Sequence, residues 1–310
     1  MSGRAVDVPE AVLQKALAQG AEGRAWSKRL GRLIAELEHD WGVDVGATLH
    51  GGSESYVAAA RTDAGADAVV KLGMPPYESF AGEVRTLAAA DGCGYARLLD
   101  HDEERNAMLQ ERLGSSLGES GLPVPVQMEV LCATLRRAWE VPAPAGLQTG
   151  AEKARWLSEF IVATWEETNR PCSRRVIEQA LSFADAREAA FDAEAAVLAH
   201  GDAHNANALR EPGHAPARFK LVDPDGLLAE PAYDLAVLMR EWSRELLDGD
   251  AARLGYERCA QLSRLTGVDP GGIWEWGFVE RVSTGLLATR VGAEPTGREM
   301  LDVAEAWATS

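Results

Sequence analysis

Positive charge is scarce in this sequence. Its 310 residues include 31 lysines and arginines but 48 aspartates and glutamates, so the formal net charge at pH 7 is −17. Such a chain would repel a polyanion, and it shows no basic stripe, so we expect no nucleic-acid partner. It also lacks any uncharged apolar run long enough to cross a bilayer, and we expect no membrane association.

Cysteine is scarce as well. The four cysteines, Cys93, Cys132, Cys172 and Cys259, lie far apart, and none has a C-x-x-C or Cys/His metal-binding spacing. We therefore expect reduced thiols, as in cytosolic proteins. The first residues, Met1–Asp7, contain no apolar segment, so the sequence predicts no secretory signal and a cytoplasmic location. The oligomeric state is left open, with a monomer favoured.

Two regions of different pattern follow one another along the chain. From about Pro9 to His39 the spacing of apolar residues predicts two helices, and five short β-prone runs with one intervening helix then extend to Glu111. Beyond Gly114 the apolar spacing is mostly helical. A small antiparallel sheet with one packed helix, followed by a larger helical part, predicts an α+β, bilobal, protein-kinase-like fold. The expected lobes are 1–114 and 115–310.

Two apolar stripes mark helices of the second region. A central buried helix is predicted by the helical spacing of Trp156, Leu157, Phe160, Ile161, Thr164 and Trp165. The apolar residues from Leu235 to Leu246 predict another helix.

The clearest chemical signal is the run His200–Asn207, which reads H-G-D-A-H-N-A-N. It matches the kinase catalytic-loop pattern H-x-D-x-x-x-x-N at every fixed position. In that pattern the aspartate faces the acceptor hydroxyl, and the asparagine turns back toward the metal that bridges the phosphates. Asp202 is therefore the candidate catalytic base, Asn207 is a candidate Mg²⁺ ligand, and His200 is expected to brace the loop.

A second signal follows in the apolar run that ends at Asp223. The sequence Asp223-Pro224-Asp225-Gly226 occupies the position of the metal-binding D-F-G motif of kinases, with one residue inserted. Asp223 is therefore a second candidate Mg²⁺ ligand. Asp225 is either a further group near the metal or a turn residue, and both interpretations stay open.

A third signal is Lys71, which lies in a short run of valine and leucine in a chain with only five lysines. A buried ammonium is costly without a partner, and Glu83 on the following helix can supply one. Such a Lys–Glu pair orders the α- and β-phosphates of ATP in kinases. Gly51, Gly52 and Ser53 lie where a phosphate-covering loop belongs, although an ordinary hairpin turn is the alternative.

Other motifs suggest other functions. His200, Asp202 and His204 form H-x-D-x-H, which could be a metal cluster, although no further ligand completes a shell. Gly114–Gly118 matches the G-x-S-x-G of serine hydrolases, with Ser116 as nucleophile, but the following Gly and Pro residues delay the helix that this motif requires. A nucleotide-binding pseudokinase is a third alternative, which the intact catalytic-loop residues argue against.

The motifs at 200–207 and 222–226, together with Tyr233-Asp234-Leu235-Ala236, resemble the aminoglycoside phosphotransferases, and most of all their streptomycin 6-kinase and hydroxyurea phosphotransferase branch. The resemblance covers nearly the whole chain. It implies transfer of a phosphate from ATP, with Mg²⁺, to a hydroxyl of a small-molecule antibiotic. It also implies that Asp234 braces the catalytic loop and that Gln110, Glu111 and Arg112 form the hinge that binds adenine.

The acceptor implied by this resemblance is a streptomycin-like aminoglycoside, with hydroxyurea as the alternative. Streptomycin carries guanidinium groups, which carboxylates bind bidentately and tryptophan faces bind through cation–π contacts. For the Trp-rich segment Ile273–Phe278, core packing is the favoured interpretation and a ligand cage is the alternative. The acceptor-site candidates are His204, Asp225, Glu230, Trp242, Glu275, Trp276, Glu280 and Arg281, and Glu241 and Glu245 lie in the same acidic region.

Overall fold

The structure, a computed structural model, describes residues 6–52, 54–75 and 80–308. The chain divides into two compact units, Met1–Gly114 and Ser115–Ser310. In the described ranges, no helix is long and apolar enough to cross a membrane.

The first unit is an antiparallel sheet accompanied by three helices in its described part. Its elements are α1 (Glu10–Ala18), α2 (Gly20–Trp41), β1 (Val43–Thr48), β2 (Ser55–Thr62), β3 (Asp67–Gly73), α3 (Phe80–Ala90), β4 (Leu98–Asp102) and β5 (Ala107–Glu111). The strands lie in the order β1-β2-β3-β5-β4, and all neighbours are antiparallel. Lys71 of the central strand β3 therefore lies opposite Val57 of β2 and Met108 of β5.

The core of the first unit lies between α2 and the sheet. Four apolar residues of α2 at helical spacing are buried, namely Leu30, Leu33, Ile34 and Leu37. They belong to the same buried cluster as the inward residues of β1, β2 and β3. The helix ends at Gly42, whose φ of 60° lies in the left-handed region and whose N–H donates to the carbonyl of Glu38. Glycine suits this position because it has no Cβ to oppose a left-handed backbone.

The second unit is mostly helical. Its elements are a short 3₁₀ helix (Leu117–Ser120), α4 (Val124–Ala138), β6 (Gln148–Thr149), α5 (Gly150–Glu167), α6 (Arg174–Ala189), β7 (Val197–Ala199), β8 (Ala208–Arg210), β9 (Phe219–Leu221), β10 (Leu227–Ala229), α7 (Pro231–Arg240), α8 (Ser243–Leu247), α9 (Ala251–Thr266), α10 (Pro270–Arg290) and α11 (Thr296–Ala308). Two small sheets, with strand orders β6-β10-β7 and β8-β9, hold the ends of the segments 200–207 and 222–226.

The central helix of this unit is α10, which packs against α6, α7 and α11. The prediction that the helix around Trp156 is central and buried is wrong. In α5, Leu157 and Ile161 are buried, but Trp156 is 48% exposed and stacks on the half-buried Phe160, with ring centroids 5.2 Å apart. Since α10 is apolar on nearly every side, no amphipathic stripe marks it in the sequence.

The apolar stripe from Leu235 to Leu246 is divided between two helices. Helix α7 ends at Arg240 and α8 begins at Ser243, and Trp242 between them has a left-handed backbone with φ of 53°. The apolar residues keep helical spacing across the break, so their periodicity alone could not reveal it.

Candidate active site

The run His200–Asn207 forms the loop between β7 and β8. His200 is buried, and its Nδ1 accepts a hydrogen bond from the backbone N–H of Asp202 at 3.1 Å. Its Nε2 lies 2.8 Å from the carbonyl oxygen of Val222, in the segment that follows β9. His200 therefore joins the loop to the neighbouring chain segment, as a bracing residue would.

A buried carboxylate on α7 fixes the start of this loop. Asp234 accepts hydrogen bonds from the backbone N–H of His200 at 3.0 Å, from that of Gly201 at 2.8 Å, and from Nε1 of Trp139 at 2.8 Å. Gly201 has a φ of 91°, and a Cβ at this position would lie 2.8 Å from Cβ of Asp225. The loop therefore requires glycine here, both for its backbone conformation and for space.

Asp202 has a different partner at each carboxylate oxygen. Its Oδ1 contacts the guanidinium of Arg240, and its Oδ2 lies 3.5 Å from Nε2 of His204. Burial alone would raise the pKa of Asp202, but the hydrogen bond from His204 and the charge of Arg240 outweigh burial and hold that pKa well below its usual range. The side chain is therefore an anion at neutral pH and can accept a proton.

The two candidate metal ligands lie on adjacent chain segments. The N–H of Val222 donates to the carbonyl of Asn207 at 2.9 Å, which brings the residue before Asp223 next to Asn207. The side-chain Nδ2 of Asn207 donates to the carbonyl of Asp202 at 3.0 Å, a bond that does not use its amide oxygen. Asp223 is exposed and has a φ of 58°, a conformation that is uncommon outside glycine and that clusters at functional sites.

Asp225 lies in the turn after Asp223. Its N–H donates to the carbonyl of His200 at 2.8 Å, and its carboxylate lies 3.7 Å from Nζ of Lys153 on α5. The same ammonium lies 5.0 Å from the ring centroid of Trp156. Asp225 therefore lies in a turn and has an ion-pair partner, and both interpretations of its role stay open.

In the first unit, Lys71 and Glu83 form a buried ion pair. Nζ of Lys71 lies 2.6 and 2.7 Å from the two carboxylate oxygens of Glu83, and the side chains are 4% and 2% exposed. Gly51 and Gly52 are exposed in the turn between β1 and β2. Ser53, the third residue expected in this turn, lies outside the described residues.

The residues expected to form the hinge lie at the end of β5. Gln110 is buried, with its Nε2 2.7 Å from Sδ of Met108. The N–H of Glu111 donates to the carbonyl of Arg97 at 2.9 Å, so this donor is already engaged within the sheet. If this segment pairs with adenine, the backbone of Arg112 and the residues after it are the better candidates.

Comparisons with known proteins identify the family of this chain. The family model described as aminoglycoside/hydroxyurea antibiotic resistance kinase matches residues 40–292. The chain belongs to this family. It is 32% identical over 294 residues to a streptomycin 6-kinase of Streptomyces griseus, covering 93% of this chain and 92% of that protein. It is 32% identical over 242 residues to a hydroxyurea phosphotransferase of Kitasatospora aureofaciens, covering 75% of this chain and 68% of that protein.

The fold agrees with solved kinase structures. The choline kinase LicA of Streptococcus pneumoniae superposes with a TM-score of 0.62 at 15% sequence identity, covering 91% of this chain and 100% of that chain. The predicted α+β, protein-kinase-like fold is therefore confirmed, and this antibiotic resistance kinase is a small-molecule kinase.

In this family member, most of the predicted acidic acceptor contacts are internal ion pairs. Glu230 and Glu275 share one partner, with Arg187 nitrogens 3.4 and 2.6 Å from their carboxylates. Glu280 is buried, and its carboxylate lies 2.8 Å from Nη1 of Arg240. Each of these three glutamates therefore already has an arginine partner within the protein, which corrects the expectation that all of their negative charge is available to a cationic acceptor.

Two other acidic residues of this region also have ion-pair partners. The side chain of Glu241 is 27% exposed and lies 3.5 Å from Arg240, and that of Glu245 is 53% exposed and lies 3.9 Å from Arg258. Trp242 between them is half-buried, with the Arg258 guanidinium 5.7 Å from its ring centroid. Glu245 and Asp225 are the most exposed of these acidic side chains, whereas Glu241 is less exposed than Glu230.

Two further acceptor candidates are fully buried. Trp276 donates from Nε1 to Glu230 at 2.7 Å and packs edge-on against Tyr233. Arg281 donates to the carbonyl of Met239 at 2.5 Å and lies under the ring of Trp307. Neither side chain can contact a soluble acceptor in this conformation, so the expected acceptor contacts of Trp276 and Arg281 are replaced by core packing.

The structure also bears on two of the alternative functions. Among the described residues, no group of three or more His, Cys, Asp and Glu side chains could hold a metal ion. Ser116 caps the 3₁₀ helix through a reciprocal capping box with Glu119. This four-residue helix differs from the strand–turn–helix elbow that a hydrolase nucleophile requires.

Two side chains at this site, Arg240 and Lys153, are not among the residues predicted from the sequence. Lys153 could have been suspected because lysines are rare in this chain. Arg240 carries no such signal, since it lies six residues after Asp234 and residues six apart do not share a helix face.

Proposed function

We propose that this kinase transfers the γ-phosphate of ATP to a hydroxyl of a streptomycin-like aminoglycoside, with Asp202 as the catalytic base. The observation that carries the proposal is the environment of Asp202. Its carboxylate is anionic, its side chain is 35% exposed, and its loop is fixed by the buried carboxylate of Asp234. A base must be deprotonated, reachable and held in place, and Asp202 meets all three conditions.

The proposed reaction is a direct displacement at the γ-phosphorus. The acceptor oxygen forms a bond to phosphorus, and the bond between phosphorus and the β–γ bridging oxygen breaks, so ADP leaves. The proton of the acceptor hydroxyl passes to Oδ2 of Asp202. Lys71, held by Glu83 in the first unit, is proposed to contact the α- and β-phosphates, because kinases place such a pair there.

The residues of the second unit fit a magnesium ion. Mg²⁺ prefers oxygen ligands and is usually held by one or two protein groups together with phosphates and water, so a dedicated protein cage is not required. The exposed Asp223 and the amide oxygen of Asn207 are proposed to hold it. When bound with ATP, the ion would neutralise charge that develops on the transferred phosphate.

The choice of acceptor rests on the relatives and on the charge distribution. A streptomycin 6-kinase is similar to the chain over nearly its whole length. The net charge of −17 favours encounter with a polycation, and Asp225, Glu241 and Glu245 are partly exposed. These observations support a cationic aminoglycoside.

Hydroxyurea is the second candidate acceptor. It is favoured by the similarity to a hydroxyurea phosphotransferase and by the internal pairing of Glu230, Glu275 and Glu280, which leaves less negative charge for a cation.

An ADP-release assay across streptomycin, other aminoglycosides and hydroxyurea tests the proposal. We expect turnover with streptomycin and a steep fall of its kcat/KM with added KCl, because salt screens charge steering over about 8 Å at physiological strength. The KM for ATP should change less. Turnover with hydroxyurea alone, with a kcat/KM nearly flat in salt, would favour the second candidate.

A set of charge reversals locates the acceptor contacts. Substitution of Asp225, Glu241 or Glu245 by lysine should raise the KM for streptomycin and leave that for ATP nearly unchanged. The exposed Glu257 on α9, paired with Arg253 of the same helix, provides a control for the change in net charge. Equal effects in all four variants would mean that only the overall charge matters.

A further inference from the structure

The side chain of Arg240 connects the loop of Asp202 to the central helix α10. Arg240 lies in the last turn of α7, and its side chain is only 12% exposed. One terminal nitrogen, Nη2, contacts Oδ1 of Asp202, and the other, Nη1, lies 2.8 Å from Oε2 of Glu280. The planar guanidinium thus bridges two carboxylates, a geometry that a lysine ammonium cannot reproduce.

The far end of this bridge is itself fixed. The buried Glu280 accepts a hydrogen bond of 2.6 Å from the hydroxyl of Tyr233, which is fully buried against Trp276. Arg240 is therefore anchored through Glu280 to buried residues of the second unit, and its contact with Asp202 ties the loop to them.

The backbone on both sides of Arg240 is also held. Arg281 donates to the carbonyl of Met239 at 2.5 Å, and Arg258 donates to the carbonyl of Glu241 at 2.6 Å. Carbonyls at the end of a helix lack partners within the helix, so these two buried arginines supply the missing donors. They fix the end of α7 at the residue that contacts Asp202.

We propose that Arg240 is the positioning residue of this kinase, which holds Asp202 through Oδ1 so that Oδ2 is the oxygen that faces the acceptor hydroxyl. The proposal rests on the proposed role of Asp202 as base. It follows from the two unequal contacts of that carboxylate: Oδ1 is in direct contact with Arg240, whereas His204 lies 3.5 Å from Oδ2. It also gives Glu280 a role as anchor of Arg240 rather than as a ligand of the acceptor.

The test compares Arg240→Ala with Arg240→Lys and with a control, Arg105→Ala. Arg105 likewise bridges two carboxylates, those of Asp40 and Asp102, with a side chain that is 23% exposed, but it belongs to the first unit and has no proposed part in the reaction. Loss of Arg240 should lower kcat by about 10- to 100-fold, because misplacement of a reacting group costs that much, with little change in the KM for ATP. The lysine variant should lie between alanine and wild type, and Arg105→Ala should lose stability but keep its kcat.

Chemical rescue separates positioning from folding. Millimolar guanidinium should restore part of the kcat of Arg240→Ala, and it should not restore that of Asp202→Asn or change that of Arg105→Ala. If Arg240→Ala does not fold, Glu280→Gln takes its place, because it removes the anchor without touching Asp202. Glu280→Gln should lower kcat and leave the KM for ATP unchanged.

The outcomes distinguish this proposal from the proposed function. If Asp202→Asn loses turnover while folded Arg240→Ala or Glu280→Gln stays within about twofold of wild-type kcat, Arg240 is not a positioning residue, although the base assignment stands. If Asp202→Asn turns over normally, the base assignment and the Arg240 proposal fail together. The Arg240 proposal would also be overturned if Arg240→Ala and Arg105→Ala lost kcat to the same extent and guanidinium did not restore the kcat of Arg240→Ala.

Discussion

The carboxylate of Asp234 accepts a hydrogen bond of 2.8 Å from the backbone N–H of Gly201, the residue before the proposed catalytic base. The same carboxylate accepts the N–H of His200 and Nε1 of Trp139, so one buried side chain on α7 satisfies three donors. The position of the catalytic loop therefore depends on a residue that has no direct part in the proposed chemistry.

Substitution of Asp234 by asparagine should destabilise the protein and lower kcat. Hydrogen bonds to a charged group contribute about 1.5–3 kcal/mol, and the amide would present a donor where only acceptors are needed. The midpoint temperature of thermal unfolding and kcat should both fall. Asp250→Asn is a suitable control, since Asp250 caps α9 by accepting the N–H of Arg253 and asparagine caps helices equally well. An Asp234→Asn variant as stable and active as that control would contradict the bracing role.

Substitution of Gly201 by alanine should be more harmful than the same change at Gly213. Both glycines have left-handed backbones, with φ of 91° and 78°, but only a Cβ at Gly201 meets another atom, Cβ of Asp225 at 2.8 Å. Gly213→Ala should cost about 1–2 kcal/mol, the left-handed penalty alone, and keep kcat. Gly201→Ala should cost more and lower kcat as well, because the clash displaces the loop that carries Asp202. Equal unfolding free energies for the two variants would show that the contact with Asp225 relaxes freely.

The buried pair of Lys71 and Glu83 allows stability and activity to be separated. Lys71→Met alone leaves a buried carboxylate without its cation and should cost about 3–5 kcal/mol. The double variant Lys71→Met, Glu83→Leu should recover much of that stability, because apolar residues of similar volume replace both charges. If Lys71 contacts the phosphates, kcat should be low in both the single and the double variant. Denaturant unfolding and steady-state kinetics on the same samples measure both, and an active double variant would remove Lys71 from the proposed site.

The two proposed magnesium ligands should differ in strength. Asp223→Ala should raise the Mg²⁺ concentration needed for half-maximal turnover more than Asn207→Ala does, because a carboxylate offsets more of the charge of the cation than an amide. Titration of activity with MgCl₂ at saturating ATP measures the difference. Normal Mg²⁺ dependence in Asp223→Ala would transfer the proposed role to Asp225.

The sequence predicted the fold and the linear motifs well, but it could not predict how charges pair. The strands of the first unit and the run His200–Asn207 follow from local pattern and from a spacing that the chemistry dictates. The partners of Glu230 and Glu275 do not, because Arg187 lies more than forty residues away in sequence on α6. Ion pairing between distant helices depends on tertiary packing, so free glutamates and ion-paired glutamates look alike in a sequence.

The contact between Asp202 and Arg240 was hidden for the same reason. It joins residues that are 38 positions apart, and the break at Trp242 that ends α7 just after Arg240 leaves no mark in the apolar periodicity. Motif spacing therefore identifies the groups proposed to act in the reaction, whereas the groups that hold them in place emerge only from the folded chain.

The base assignment is tested most directly by the turnover of Asp202→Asn with ATP and streptomycin, measured beside its affinity for ATP. We expect wild-type enzyme to form phosphorylated streptomycin and ADP in equal amounts. The variant should bind ATP as wild type does while its kcat falls by about 10²–10⁴-fold, the usual contribution of a positioned general base. Turnover by Asp202→Asn close to that of wild type would contradict the assignment of Asp202 as the base.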